Sequence, residues 1–240
     1  LEVALNFTLI SEGLLLNEKS YAEATALKVK LHTIADSSMR KYFECDKFIA
    51  VNEFISDLIL VGNNKRAQII NFVLENIDDR FAKALVKVYA RIIFNFAKKL
   101  PTRGSMPMHL MLEEAHRYVQ KDNDINILGY NIFERIAKEG RKYGTLLTFI
   151  TQRPSELSST ALSQCSNFVI FRIFHPKDFE IVKSISTNVD SENLEKLKTL
   201  NSGTSLVFGT GFKIPLLVSF DLPSPMPTST NVMLSQIWYQ

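Results

Sequence analysis

The chain has 240 residues, 46% of them apolar and 22% charged, a size and balance typical of a globular protein with a sizeable core. Its 28 basic and 25 acidic residues give a net charge of only +3, so charge alone neither requires nor excludes a nucleic-acid partner. No apolar run approaches the roughly 18–20 residues that a membrane-spanning helix needs, which argues against membrane insertion.

The first 65 residues are predicted to form a helical subdomain inserted before the main fold. Ala24, Leu27, Leu31 and Ile34 recur at helical spacing, and residues 53–60 fit a second, shorter helix. The chain begins with leucine rather than methionine, so we expect the natural N-terminus to lie upstream. No motif in this subdomain points to a particular chemistry.

Residues 66–222 alternate between strand and helix patterns, which predicts an α/β fold with a mostly parallel sheet covered by helices on both faces. The predicted strands are 67–74, 109–112, 145–150 and 167–173, followed by a C-terminal antiparallel hairpin, 204–208 and 214–220. The predicted helices are 80–99, 126–142, a short one within 154–166, 176–186 and 192–200. Residues 223–240, which contain three prolines, are predicted to be an extended tail.

The longest predicted helix, 80–99, follows two acidic residues, Asp78 and Asp79, of the kind that cap helix N-termini. Four apolar residues within it share one side at helical spacing, and we expect them to be its buried stripe. They are Leu85, Val88, Ile92 and Phe96.

The predicted strand 109–112 delivers two adjacent carboxylates, Glu113 and Glu114, to its C-terminal end. In a nucleotide-hydrolysing site, one acid holds Mg²⁺ and another orients or deprotonates the attacking water. The pair alone is a weak signal, because a solvated strand end also carries acids.

A second polar cluster strengthens this interpretation. The segment 136–144 reads as a basic helix that ends at Gly144, and the apolar strand 145–150 after it stops at Thr151-Gln152-Arg153. If the two strands are parallel neighbours, the acid pair and the Gln152 amide meet at one edge of the sheet, where open α/β sheets bind ligands.

At these residues the chain resembles the HerA/FtsK superfamily of RecA-like DNA-translocating ATPases, most closely the HerA-type branch. The resemblance covers about Ala67 to Pro225 and implies a RecA-like sheet. The segments that match are Leu110–Tyr118, Glu139–Gly144, Thr151–Ser158 and Leu162–Arg172, with Ser202–Pro215 matching more loosely.

The resemblance implies roles for the strand-end residues. Glu113 takes the metal-side position, where most relatives have Asp, and also contributes to binding the nucleotide cofactor through Mg²⁺. Glu114 takes the water-activating position, and Gln152 resembles the amide that senses the γ-phosphate. Arg153 is a further candidate for contact with the nucleotide. The alternative reading is a solvated strand end with Gln152 capping a turn.

Basic residues of the 136–144 segment complete the inferred site. Arg141 resembles an arginine that enters the neighbouring subunit's site and offsets charge in the transition state. Lys138 and Lys142 are candidates for contact with DNA phosphates. The alternative is a solvated basic helix end, which the helix dipole favours on its own. His116, just after the acids, fits either a coupling role or a structural hydrogen bond.

A phosphate-binding P-loop, G-x-x-x-x-G-K-[ST], is missing from the sequence, which contains no Gly-Lys dipeptide. We therefore expect the P-loop in a preceding part of a longer protein, and we expect this piece alone to bind nucleotide poorly. The chain also has two cysteines, Cys45 and Cys165, without metal-ligand neighbours. We expect reduced thiols in a cytoplasmic protein, with a disulfide as the alternative.

The resemblance implies a hexameric motor that uses ATP and Mg²⁺ to translocate double-stranded DNA, together with a nuclease or another effector. DNA-end resection and antiviral defence are the implied settings. Three alternatives remain at this point: a conjugation- or secretion-type motor, an FtsK-type chromosome translocase, and a non-hydrolysing ring scaffold for an effector enzyme.

Overall fold

The computed structural model describes residues 18–35, 40, 47, 49–61, 65–120, 130–186 and 188–226. The chain divides into two units, Leu1–Lys65 and Arg66–Gln240. Cys45, most of the C-terminal tail and the start of the predicted helix 126–142 lie outside the described residues. None of the described helices combines the length and the apolar character that crossing a membrane requires.

In the first unit, two helices lie where the sequence predicts them, α1 (Glu18–Ala35) and α2 (Val51–Ile59). Ile55 of α2 is fully buried, whereas Leu27 of α1 is 43% exposed, so the predicted apolar stripe of α1 is only partly covered. Two short strands pair with each other, β1 (Leu60–Val61) and β2 (Lys65–Arg66).

The described part of the second unit has α/β architecture, as predicted. Its helices are α3 (Asp79–Lys99), α4 (Ile132–Glu139), α5 (Ser159–Ser163), α6 (Pro176–Ile185) and α7 (Ser191–Lys196). Its strands are β3 (Met108–Leu112), β4 (Thr145–Phe149), β5 (Asn167–Ile170), β6 (Thr204–Gly209) and β7 (Leu216–Ser219). Short 3-10 helices follow β3, α4 and β4.

The strands form a parallel pair and an antiparallel sheet. β3 pairs with β4 in parallel, from Met108 opposite Thr145 to Leu112 opposite Phe149. β5, β6 and β7 form the antiparallel sheet in that order, and β6 with β7 is the predicted C-terminal hairpin.

One face of the β3–β4 pair packs on the core. Leu110, Leu112 and Phe149 contact a cluster of buried side chains from α3, α4 and α5. Met111 and Leu146 alternate to the other face and are 63% and 48% exposed. The alternation follows from the two-residue period of a strand.

The predicted strand 67–74 is wrong. Residues 67–74 have no regular structure, and Ile69 and Val73 are 89% and 69% exposed. A strand requires a neighbour that satisfies its backbone N–H and C=O groups, and no described strand pairs with this segment. Apolar composition alone therefore predicted a strand that its surroundings do not support.

The predicted stripe of α3 is only partly buried, since Leu85, Ile92 and Phe96 are half-buried and Val88 is 53% exposed. The fully buried residues of α3 are mostly small: Ala82, Ala90 and Ala97, with Ile93 and Phe94. Small side chains let α3 lie close to its neighbours, so close approach selects the alanine face over the bulkier one. The N-terminal cap is confirmed, since Phe81 N–H donates to Asp78 Oδ1 at 3.3 Å.

Candidate functional site

The C-terminal ends of β3 and β4 are joined by backbone hydrogen bonds that continue beyond the strands. Ile150 N–H donates to Leu112 O, and Ala115 N–H donates to Ile150 O, both at 2.9 Å. These bonds fix the two polar turns side by side at one edge of the parallel pair.

The Glu114 carboxylate and the Gln152 amide meet at this edge. Gln152 Nε2 donates to Glu114 Oε1 at 3.1 Å across 38 residues of sequence. Glu114 is 37% exposed, so its carboxylate is accessible to a small molecule while one oxygen is held. Of the predicted acid pair, Glu114 therefore contacts the glutamine directly.

Glu114 has an unusual backbone conformation. With φ 49° and ψ 44° it is in the left-handed region, and it is the sole non-glycine residue with positive φ among the described residues. A side chain in this region costs roughly 1–3 kcal/mol, and such strain concentrates at functional sites. The turn brings the Glu114 side chain to the Gln152 amide directly after the strand.

His116 holds the second oxygen of the same carboxylate. Its Nδ1 lies 3.2 Å from Glu114 Oε2 and 3.0 Å from Thr151 Oγ1. Its side chain is only 14% exposed, in the short 3-10 helix Ala115–Arg117. Both oxygens of Glu114 are thus contacted by side chains, one from each strand end.

Glu113 precedes Glu114 and is exposed. No group of three or more His, Cys, Asp or Glu side chains that could hold a metal occurs in the part of the chain that the structure describes. Mg²⁺ does not need such a cage, because it keeps several waters and binds through one or two carboxylates plus substrate phosphates. A single accessible carboxylate beside Glu114 therefore fits a magnesium ion that arrives with a nucleotide.

Arg153 follows Gln152 and is 64% exposed, but its guanidinium is already engaged. Its NH1 donates to Glu156 Oε1 at 2.8 Å, and this hydrogen bond and charge raise the pKa of Arg153. A guanidinium has five N–H donors, so contact with a nucleotide does not require this pair to open.

Buried and half-buried partners fix the loop that bears Gln152 and Arg153. Ser155 N–H donates to Asp178 Oδ1 of α6 at 2.9 Å. Ser158 N–H donates to Val119 O at 2.7 Å, and Ser158 Oγ donates to Glu134 Oε1 of α4 at 2.5 Å. Three different parts of the fold therefore hold this loop.

The basic residues lie elsewhere. Arg141 and Lys142 belong to the 3-10 helix Gly140–Tyr143, which precedes β4, whereas Gln152 follows β4. The five residues of β4 separate the two ends by about 17 Å. Arg141, Lys142 and Lys138 are all exposed at this opposite end, and Arg141 does not join the Glu114 site of its own chain.

Comparison with known proteins places the chain in a family, although no family model matches it. The DNA double-strand break repair helicase HerA of Saccharolobus solfataricus is 30% identical over 198 residues, 80% of this chain and 39% of that protein. The probable helicase MJ1565 of Methanocaldococcus jannaschii is 29% identical over 181 residues, 73% of this chain and 35% of that protein. This chain belongs to the HerA/FtsK superfamily.

The chain spans less than half the length of these two relatives. Among solved structures, the DNA-packaging ATPase B204 from Sulfolobus turreted icosahedral virus gives a TM-score of 0.48, with 17% identity and 78% of each chain covered.

The HerA-type motif led to Glu114 and Gln152 but not to the groups that hold them. Thr151 and Asp178 were not among the predicted site residues, and each contacts the strand-end region through a side-chain oxygen. Thr151 adjoins Gln152, so its position was a usable signal. Asp178 lies in a distant helix, and no local pattern marks it.

Proposed function

We propose that the full-length protein is a HerA-type ATPase that couples ATP hydrolysis to movement along double-stranded DNA. The observation that carries the proposal is the Glu114–Gln152 hydrogen bond at adjacent strand ends, with Glu114 in a left-handed turn. The sequence similarity to the helicase HerA supports the same class of activity. The proposal concerns the whole protein, of which this chain supplies one part.

In the proposed reaction, Glu114 is the general base. A water oxygen attacks the γ-phosphorus of ATP, its proton passes to the Glu114 carboxylate, and the bond from the γ-phosphorus to the bridging oxygen breaks to release ADP. Gln152 holds one Glu114 oxygen and orients the water through its amide. Positioning and charge stabilisation supply most of the catalysis in this class of reaction.

Glu113 is the proposed magnesium-side residue. The ion, when bound with ATP, would offset the negative charge of the phosphates. Glu113 would hold it through its exposed carboxylate, either directly or through a bound water. Glu113 is one methylene longer than the Asp that the family resemblance implies here, which changes the geometry at the ion but not the proposed role.

Arg141 is proposed to act on a neighbouring subunit's nucleotide. It lies beyond the opposite end of β4 from Gln152, so it does not reach the Glu114 site of its own chain. An exposed arginine on that side is available to a second copy, and such a residue can contribute roughly 10³–10⁵ in rate. This arrangement supports a ring, and we propose six subunits.

The end of the fold that carries Arg141 is rich in cations. Lys98 Nζ and Arg103 Cζ lie 5.9 and 5.7 Å from the centre of the Tyr143 ring, one residue beyond Lys142. The nearby Glu139 is paired with Arg135 at 3.7 Å. We propose that Lys138 and Lys142 contact DNA phosphates here, since unneutralised cations on one side form the electrostatic footprint of nucleic-acid binding.

The cellular location and the partner proteins are part of the same proposal. The resemblance to HerA-type motors supports a cytoplasmic protein that works with a nuclease or a defence effector. These features rest on family likeness, whereas the hydrolytic site rests on the contacts described above.

A glutamate-to-glutamine substitution tests the activity. The full-length Glu114→Gln variant should bind ATP but hydrolyse it at least about 10²-fold more slowly, because the amide cannot accept the water's proton. It should also fail to displace a strand or roadblock from duplex DNA. Glu195→Gln, at an exposed glutamate paired with Lys198, is the matched control and should behave as wild type. Unchanged turnover by Glu114→Gln would end the proposal.

A further inference from the structure

His116 connects the two strand ends through a single nitrogen. Its Nδ1 lies within hydrogen-bonding distance of Glu114 Oε2, after β3, and of Thr151 Oγ1, after β4. Thr151 Oγ1 also accepts a hydrogen bond from Arg153 N–H at 3.0 Å. The imidazole is therefore fixed at a point where both elements of the proposed site meet.

The contacts indicate where the imidazole carries its proton. If Nδ1 had a lone pair, it would face the lone pairs of an ionised Glu114 carboxylate at 3.2 Å, which is unfavourable. With a proton on Nδ1, the single N–H faces two oxygens: Thr151 Oγ1, its hydrogen-bond partner, and the charged Glu114 Oε2 at 3.2 Å. The ionised base that hydrolysis requires thus favours the Nδ1–H form.

This donor completes the restraint on Glu114. Gln152 donates a hydrogen bond to Oε1, and His116 Nδ1 lies 3.2 Å from Oε2, so a neighbouring side chain restrains each oxygen of the carboxylate. A carboxylate held by one oxygen alone can rotate about its terminal torsion, which is broad for glutamate. A general base needs a fixed lone pair aimed at its water, since small misplacements cost large factors in rate.

We propose that His116 is a positioning residue for the catalytic base Glu114, an inference that rests on the proposed ATPase function. It does not touch ATP; its Nδ1–H faces the carboxylate that accepts the proton. Through Thr151 it also ties the orientation of Glu114 to the strand end that bears Gln152.

The His116 imidazole is not needed to hold the fold together at this point. The backbone hydrogen bond from Ala115 N–H to Ile150 O at 2.9 Å already holds the 3-10 helix against the end of β4. The hydrogen bond from Val119 N–H to Ala115 O at 2.9 Å closes the turn itself. Loss of the Nδ1 donor should therefore reduce turnover far more than stability. Neighbours of this kind typically affect activity by about 10–100-fold.

The test compares three variants of the full-length protein. His116→Phe keeps the ring volume and removes the donor. His116→Asn keeps an N–H one bond from Cγ, where Nδ1 lies, and His116→Gln moves the N–H one bond farther away. We expect Phe and Gln to lower kcat about 10–100-fold with KM for ATP and Tm little changed, and Asn to retain most of the kcat.

The same change in a Glu114→Gln background separates positioning from a general structural role. If His116 acts through Glu114, His116→Phe should lower the residual rate of Glu114→Gln little further. Three results would each overturn the inference. They are a wild-type kcat in His116→Phe, a kcat of His116→Asn no higher than that of His116→Gln, and an equal fold-loss of kcat from His116→Phe in the wild-type and Glu114→Gln backgrounds. If His116→Phe does not fold, the kcat values of His116→Asn and His116→Gln decide. A wild-type protein without ATPase activity would instead refute the proposed function, and the inference with it.

Discussion

The side-chain amide of Gln152 donates a hydrogen bond to the carboxylate of Glu114 and thereby joins the C-terminal ends of two parallel strands. The contact brings a carboxylate and a polar amide to the same small volume. The proposed hydrolytic site needs these two groups side by side.

Replacement of Gln152 should reduce hydrolysis without abolishing nucleotide binding. Gln152→Ala removes the amide that orients the water and one restraint on Glu114, so we expect kcat to fall about 10–10³-fold. Gln152→Glu should be at least as damaging, because it places a second carboxylate within about 3 Å of Glu114. Steady-state ATPase assays with the full-length protein measure both, and wild-type kcat in either variant would contradict the assigned role.

Mixed rings test the placement of Arg141. Full-length Arg141→Ala and Glu114→Gln proteins should each be nearly inactive alone. When they are mixed, some sites combine an intact Glu114 with an intact Arg141 from the neighbour, so hydrolysis should partly return. A matched mixture with Lys177→Ala in place of Arg141→Ala controls for dilution, since Lys177 is exposed in α6. No recovery at any mixing ratio would exclude action in trans.

The proposed DNA surface predicts a change in salt dependence. Lys138→Ala with Lys142→Ala should weaken binding to duplex DNA and lower the slope of log affinity against log salt by about 0.9 for each lost phosphate contact. Lys177→Ala with Lys183→Ala, at exposed lysines of α6, is the control pair. Equal slopes for both pairs and for wild type would remove Lys138 and Lys142 from the DNA surface.

Asp178 is expected to stabilise the loop that carries Gln152. Its side chain is 8% exposed and accepts from Ser155 N–H, so Asp178→Ala leaves that donor without its partner and should lower the free energy of unfolding by about 1–3 kcal/mol. Asp178→Asn retains an acceptor oxygen and should lose less. Urea denaturation of both variants measures the difference, and equal losses would show that the hydrogen bond is not the cause.

Gly140 is predicted to tolerate no side chain. A Cβ there would lie 2.3 Å from the backbone oxygen of Thr145, so Gly140→Ala must displace the start of β4 and should cost roughly 1–3 kcal/mol. Lys142→Ala is the control, because Lys142 is exposed in the same 3-10 helix. The two melting temperatures provide the comparison, and equal values would refute the packing argument.

The sequence was sufficient for the strand-end site because its signals are local. Each strand stops at polar residues, Glu113-Glu114 and Thr151-Gln152, and parallel pairing brings such ends to one edge. The N-terminal cap at Asp78 could be predicted for the same reason, because a capping residue lies next to the helix that it begins.

Features that depend on tertiary neighbours were not predictable in this way. The buried face of α3 was decided by which side its partners approach, and residues 67–74 form no strand without a pairing neighbour. Asp178 and the left-handed backbone of Glu114 likewise have no local sequence signature, since each depends on what the folded chain places beside it.

The most direct measurement of the central claim is a double-mutant cycle between Glu114 and Gln152 in the full-length protein. If both residues act on one water, the kcat of Glu114→Gln with Gln152→Ala should be close to that of Glu114→Gln alone, because the second loss has little left to remove. If instead the two losses multiply in full, the residues act independently, and the account of a shared site at the strand ends is contradicted.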